Sequence, residues 1–429
     1  MPSREGQSLR VAVVARSVYP LHRFGGLERH VYDLVRCLLS RDAHVTLITP
    51  PASADRPADA GADAVFRHPK FTMRPVPYVT FPFANRRGTT ILDRSTAYPL
   101  FGLRAGRLAA RLVRAGGIDI VHGLGASALG YALDDLDPDI RAPFVLNPQG
   151  LEEFGATDPS RAPLKRVGYW PLRVAARRTA KAADRVIATD RSLVAPVISH
   201  LGISKDVVRV IPNAIEPADC DRPDAAGRAQ SLRRELGLQP NDALLLSVGR
   251  LEENKGFDVL IRALVTLVQQ NLLPARWKWV LVGGGPRRAH LEREIASAGL
   301  TANARVTGRV SATDLHGWYE AATLFVHPTL YEGSSIVTLE AMAHRRTVVA
   351  SRAGGLPDKV IPGVTGWLVP PGNEEALAGA IGKALADTAR LHTMGMAGRA
   401  LVDKEFSWRA ATDRLLNVYG ELLVHVDSL

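Results

Sequence analysis

Short apolar runs alternate along this chain with longer segments of helical period. Residues 9–15 form a near-continuous apolar run, as a strand buried on both faces does. Gly25-Gly26 follow, and from residue 27 to 40 apolar positions recur at three- and four-residue steps, which predicts a helix. His44–Thr49 predicts the second strand. Residues 118–122, 143–147, 185–189 and 207–211 predict four more, mostly with helical segments between them. The alternation then restarts. Residues 243–248 predict a strand and residues 256–270 a helix, and further strands are expected at 277–282, 304–307, 323–327 and 347–350. Residues 406–423 predict an amphipathic helix with Trp408, Leu415, Tyr419 and Leu422 on one face.

Strands alternating with helices predict parallel sheets. Two rounds of that alternation, separated by the polar stretch 216–234, predict two Rossmann-like, doubly wound α/β domains. The expected division is 1–215, 216–405 and a terminal helix at 406–429. Ligands of such sheets bind beyond the C-terminal ends of the strands, so two facing sheets would make a cleft.

Composition narrows the class. The 429 residues are 46% hydrophobic and 23% charged, a globular balance that excludes disorder as the main state. Two cysteines far apart in sequence, Cys37 and Cys220, exclude both a disulfide scaffold and a cysteine-based zinc site. No apolar run approaches the roughly 20 residues of a membrane span. The first ten residues lack an apolar leader core, so a cytoplasmic protein is expected. Residues 1–215 hold 30 Lys+Arg against 19 Asp+Glu, a net +11, whereas residues 216–429 hold 24 of each. The whole excess of charge lies in the first half.

Candidate chemistry clusters at the strand-end turns. Arg250 follows the strand at 243–248, and Lys255 precedes the next helix. Two cations beside a helix N-terminus suit a diphosphate. The segment 327–341 reads HPTLYEGSSIVTLEA, with Glu332 in a loop and Glu340 two turns into an otherwise apolar helix. A carboxylate so placed needs hydrogen-bond donors, and sugar or ribose hydroxyls would serve. Gly333, Ser334, Ser335 and Ile336 would turn backbone N–H groups toward a ligand, the serines standing near the helix N-cap. Gly354-Gly355 open a further short helix, as Gly25-Gly26 do in the first half. Singly, each feature also fits a solvated or structural role. Neither a phosphate-binding P-loop sequence nor a His/Cys cluster with metal-ligand spacing is present.

Together these motifs resemble the family 4 retaining glycosyltransferases of GT-B fold. The likeness runs from about residue 10 to 419 and is strongest over 247–371, in SVGRLEENKGFD, VGGGP, the E-x7-E segment and AGGLPD followed by GVTGWLV. The first half contributes GGLERHV and DIVH. The resemblance implies a nucleotide-sugar donor, retention of anomeric configuration, no metal and no other cofactor. It implies that Arg250 and Lys255 hold the donor diphosphate and that Glu340 takes the ribose. Glu332, with the backbone of Gly333–Ser335, would hold the transferred sugar. Gly308, Arg309 and Val310 would meet the base, Gly25 and Gly26 would approach the phosphate, and His122 would line the cleft beside the anomeric carbon. The last helix would cross back to the first domain. Departures from the family pattern are Leu124 for a second histidine, Gln149 for His, Asp358 for Glu and Ala214 for Gly.

In this fold the first domain usually binds the acceptor, and here it is the basic one. Arg104, Arg107, Arg111 and Arg114 share a helical spacing, as do Arg173, Arg177, Lys181 and Arg185. Residues 66–87 interleave aromatics with cations. The expectation is an anionic or lipid-linked acceptor, with the enzyme peripheral at an anionic membrane on its inner face. Helices that are simply solvated on one face are the competing reading. No nucleic-acid partner is expected, because no recognition motif accompanies the charge. A silent homologue that binds a sugar nucleotide or a partner, and a phosphorylase or synthase of the same fold, remain open alternatives.

Overall fold

The computed structural model describes residues 8–22, 25–53, 64–80, 90–148, 151, 154 and 167–426. The chain forms two compact units. One comprises residues 1–213 and 408–429, the other residues 214–407.

The first unit holds a seven-stranded parallel sheet in the order β3-β2-β1-β4-β5-β6-β7. Its strands are β1 (Arg10–Val14), β2 (His44–Thr49), β3 (Phe71–Pro75), β4 (Ile120–Leu124), β5 (Phe144–Asn147), β6 (Arg185–Ala188) and β7 (Val208–Val210). The order reverses direction at β1/β4, the switch point of a doubly wound sheet. Helices α1 (Gly26–Ser40), α2 (Thr90–Arg114) and α3 (Trp170–Lys181) belong to this unit. The edge strand β3 alternates half-buried with exposed residues, whereas Val11, Val13, Val121 and Phe144 on the inner strands are fully buried. Ala12, Val14, Val121 and Phe144 pack in one core with Phe101 and Ala105 of α2.

The second unit repeats the plan with six parallel strands in the order β10-β9-β8-β11-β12-β13. These are β8 (Ala243–Val248), β9 (Trp277–Val282), β10 (Ala304–Gly308), β11 (Leu324–His327), β12 (Val348–Ser351) and β13 (Gly366–Val369). Helices α4 (Phe257–Gln269), α5 (Ala312–Ala321) and α6 (Ile336–Ala343) pack against them. Successive β8 residues serve opposite cores: Leu245 joins Phe257, Leu260 and Leu264 of α4, while Leu244 and Leu246 join Trp318, Tyr319 and Met342. Both faces are therefore covered, which is why the strand reads as an unbroken apolar run. Each such aliphatic side chain contributes roughly 1.5–3 kcal/mol by leaving water. The buried Ser247 hydroxyl donates to the Val326 carbonyl at 2.8 Å and accepts from Trp279 Nε1 at 3.2 Å, so the core has no stranded donor there.

The final helix α7 (Trp408–Val426) belongs to the first unit and packs on α1. Its Trp408, Leu415, Tyr419 and Leu422 are all buried. Among the described residues no helix is long and apolar enough to cross a membrane.

Candidate functional site

Three loops of the second unit interlock at the C-terminal ends of its strands. The loop after β8 ends in a tight turn, Glu253–Lys255, and Gly256 then adopts φ 62° as the residue preceding α4. A Cβ on Gly256 would stand 2.3 Å from the Pro328 carbonyl, so only glycine fits both the angle and the space. The Asn254 carbonyl accepts from the Leu330 backbone at 2.7 Å and from the Thr329 hydroxyl at 2.9 Å, tying this loop to the one after β11. The β12 loop closes on the same place. Gly354 has φ 50°, a Cβ there would lie 1.7 Å from the Glu332 carbonyl, and Gly355 N donates to Gly333 O at 2.9 Å.

This packing fixes a polar cluster. Lys255 Nζ lies 2.8 Å from Glu332 Oε2, and His327 Nε2 lies 2.8 Å from the same oxygen. Burial would raise the Glu332 pKa. The His327 hydrogen bond and the Lys255 charge overcome that and hold it down to about 2, so the carboxylate is ionised throughout the physiological range. His327 is fully buried as the last residue of β11. Its Nδ1, and the hydroxyl of Ser334, are buried with no hydrogen-bond partner among the described residues. Such groups need an explanation, and a ligand bound in the loop cluster supplies one.

Helix α6 begins at this cluster. Ser335 occupies its N-cap position but caps nothing; its hydroxyl instead meets Thr338 Oγ1 at 2.9 Å and His327 Nε2 at 3.4 Å. Ser335 thus stands at the N-cap as expected, while the first turn of α6 has no side-chain cap. Glu340 does not wait bare for a ligand either, because the buried Tyr319 hydroxyl donates to its Oε2 at 2.7 Å. Burial still raises the Glu340 pKa, with Tyr319 and His344 opposing it. Arg250 makes a different ion pair. Its side chain is 75% exposed and pairs with Glu252 at 2.6 Å. Gly308 ends β10 with φ 78°, and its carbonyl accepts from Gly283 N at 2.9 Å. Arg309 beside it is exposed, and Val310 is half-buried.

In the first unit Gly25 and Gly26 are exposed at the start of α1, with open space where a Gly26 side chain would stand. His122 departs from expectation. It sits in the middle of β4, opposite Val13 and Val145, rather than at a strand end. It is 2% exposed, and its Nδ1 lies 2.6 Å from the Tyr419 hydroxyl of α7. Burial, with a smaller push from His30, lowers its pKa to about 3, so it is neutral. The structure gives it a fold-holding partner rather than an open face. Leu124, two places on, is also buried.

Comparison with known proteins places this geometry. The family model described as Glycosyltransferase Family 4 matches residues 24–219, and that for glycosyl transferases group 1 matches 229–401. The α-maltose-1-phosphate synthase of Mycolicibacterium smegmatis is 30% identical over 430 residues, covering 96% of this chain and 100% of that one. The chain belongs to glycosyltransferase family 4. D-inositol 3-phosphate glycosyltransferase of Salinispora arenicola is 28% identical, covering 96% of this family 4 chain and 92% of its own. The crystal structure of Anabaena HepE in complex with UDP-glucose superposes with a TM-score of 0.67 at 21% identity, covering 96% of this chain and 100% of that one. The fold class, two parallel α/β sheets of GT-B type, and the activity class, a glycosyltransferase, follow.

Two residues of the cluster in this family 4 transferase escaped the sequence reading. His327 opens the quoted HPTLYEG segment, and its place at a strand end was a usable signal. Tyr319 carries no such signal, since a tyrosine inside α5 reads as core. The basic surface needs one correction. Helix α3 ends at Lys181, so Arg185 lies on β6, near Glu421 at 3.9 Å, and not on a face with Arg173 and Arg177. The Arg173 and Arg177 guanidiniums lie over the Phe154 ring at 5.2 and 5.5 Å. Arg104, Arg107, Arg111 and Arg114 are exposed along α2, Arg114 in an ion pair with Asp134. Phe81, Phe83, Arg86, Arg87, Gln149 and Gly150 lie outside the described residues.

Proposed function

We propose that this transferase moves a hexosyl unit from a nucleoside-diphosphate sugar to an acceptor hydroxyl with retention of anomeric configuration. The observation that carries the reading is the buried, ionised Glu332 held between Lys255 and His327 at the mouth of the uncapped helix α6. Donor arrival would exchange partners. Lys255 would turn from Glu332 to the diphosphate and stabilise the leaving charge, with Arg250 closing from solvent. Glu332 would then accept from sugar hydroxyls, and the free N–H groups of Ile336 and its neighbours would meet the phosphates. Glu340 would accept from the ribose while Tyr319 holds its other side. The base would meet the backbone of Gly308–Val310. These protein cations take the place a divalent ion would fill on the diphosphate, so no metal is required there. HepE, solved with UDP-glucose, supports a donor of this class.

For the acceptor we favour an anionic, lipid-linked molecule. The exposed arginine row of α2 supports it, and two relatives bear names that place a phosphate on their acceptor or product. The enzyme would then work at the inner face of an anionic membrane from the cytoplasm. The first experiment is incubation with UDP-, GDP- and ADP-sugars after metal chelation, reading nucleoside diphosphate release. Release from one donor is expected, and failure of every donor either to react or to shift the melting temperature would overturn the reading. Sedimentation with anionic vesicles at low salt, weakened by Arg104→Ala with Arg107→Ala, tests the membrane part; no sedimentation of the native protein would remove it.

A further inference from the structure

A second polar cluster lies in the second unit, away from the loops that hold Lys255 and Glu332. Cys220 follows the turn Pro217–Asp219, His316 lies on α5, and His344 caps the C-terminus of α6. These positions are far apart in sequence, yet their ligand atoms all come within 4.8 Å of one another. Cys220 is 6% and His344 2% exposed, while His316 is half-buried. His316 Nδ1 lies 3.0 Å from His344 Nε2. From the sequence, two distant cysteines exclude a cysteine-based zinc site, but a one-cysteine, two-histidine set needs no second cysteine.

We propose that Cys220, His316 and His344 form a structural binding site for a transition-metal ion of the zinc class. Thiolate and imidazole ligands in a compact set select such an ion. With zinc–nitrogen bonds of about 2.0–2.1 Å and a zinc–sulfur bond of about 2.3 Å, tetrahedral ligand atoms stand roughly 3.3–3.7 Å apart. The two imidazole nitrogens stand 3.0 Å apart, and all three ligand atoms lie within 4.8 Å of one another. The surroundings are those of a ligating histidine. Glu320 Oε2 lies 3.3 Å from His344 Nδ1, and Arg346 holds the other Glu320 oxygen at 3.1 Å. A proton on Nδ1, shared with that carboxylate, leaves the Nε2 lone pair free for an ion. The Tyr319 ring stacks on His344 at 5.4 Å and 12°, fixing its plane.

A bound ion would join the entry segment of the unit to α5 and to the end of α6, one turn beyond Glu340. The fourth position would be filled by water on the half-exposed His316 side.

The site is tested independently of donor chemistry. The full chain, stripped by a chelator under reducing conditions, is titrated with Co(II) and followed optically. One equivalent should give a thiolate-to-cobalt charge-transfer band that zinc abolishes. Cys37→Ser should keep the band and Cys220→Ser should lose it. His316→Gln, at the half-exposed ligand, should weaken Co(II) binding with the far-UV circular dichroism unchanged, and Glu320→Gln should weaken it about 10- to 100-fold. Absence of the band in the native protein, or its survival in Cys220→Ser, would leave the two histidines as a mere hydrogen-bonded pair and overturn the proposal.

Discussion

Strands β4 and β11 hold equivalent places in the two sheets, each next to the central first strand of its unit, and each carries a buried histidine with one unpartnered nitrogen. His122 is the third residue of β4, so its ring stays within the layer and meets Tyr419 of α7. His327 is the last residue of β11, so its ring reaches the loop and meets Glu332. Two positions from the strand end separate a side chain that holds layers together from one that faces the loops. The same contrast governs charge. The first unit exposes a row of arginines along α2, whereas the second places the Lys255 ammonium against the largely buried Glu332 carboxylate.

Four substitutions break or sharpen this contrast. Lys255→Ala should lower the rate of donor turnover by about 10²–10³, the cost of removing one preorganised charge from the leaving group, in steady-state nucleoside diphosphate release. Glu340→Gln should raise the donor KM about 10- to 100-fold, since a charged acceptor on the ribose hydroxyls is worth about 1.5–3 kcal/mol. His122→Ala should leave kcat/KM near the native value while costing about 1–3 kcal/mol in denaturant unfolding, because it strands the Tyr419 hydroxyl. A large loss of kcat with native stability would return His122 to the catalytic set. The smallest effect is acidic. Glu332 is held near 2 in the folded chain, below its ordinary 4.5, so an unfolded chain takes up the proton first. Its stabilising contribution is complete above about pH 4.5 and is lost as pH falls toward 2. Glu332→Gln should flatten that part of the stability–pH curve.

The strands of both sheets were legible where burial on two faces made an unbroken apolar run, as at Ala243–Val248 and Trp277–Val282. Edge strands were not. Phe71–Pro75 alternates apolar and polar residues and reads as a surface stretch, and Gly366–Val369 is short and opens with glycine. Ile120–Leu124 begins two residues later than its apolar run suggests, and that shift moves His122 from the strand end to its middle. Of the donor site, Lys255 and Glu332 could be named from spacing, but their ion pair could not, because it depends on loops from β8 and β11 closing through the Asn254 carbonyl. Tyr319 and the Cys220–His316–His344 cluster were hidden for the same reason: each is assembled from segments that only the sheet brings together.

The central claim is that donor recognition rests on the strand ends of the second unit and not on the histidine of the first. Calorimetric titration of the native protein, Lys255→Ala and His122→Phe with UDP, GDP and ADP in turn tests it most directly. One diphosphate should bind the native protein and His122→Phe alike, and bind Lys255→Ala at least about tenfold more weakly, a difference of about 1.4 kcal/mol. Equal affinity in Lys255→Ala, or a loss confined to His122→Phe, would contradict it.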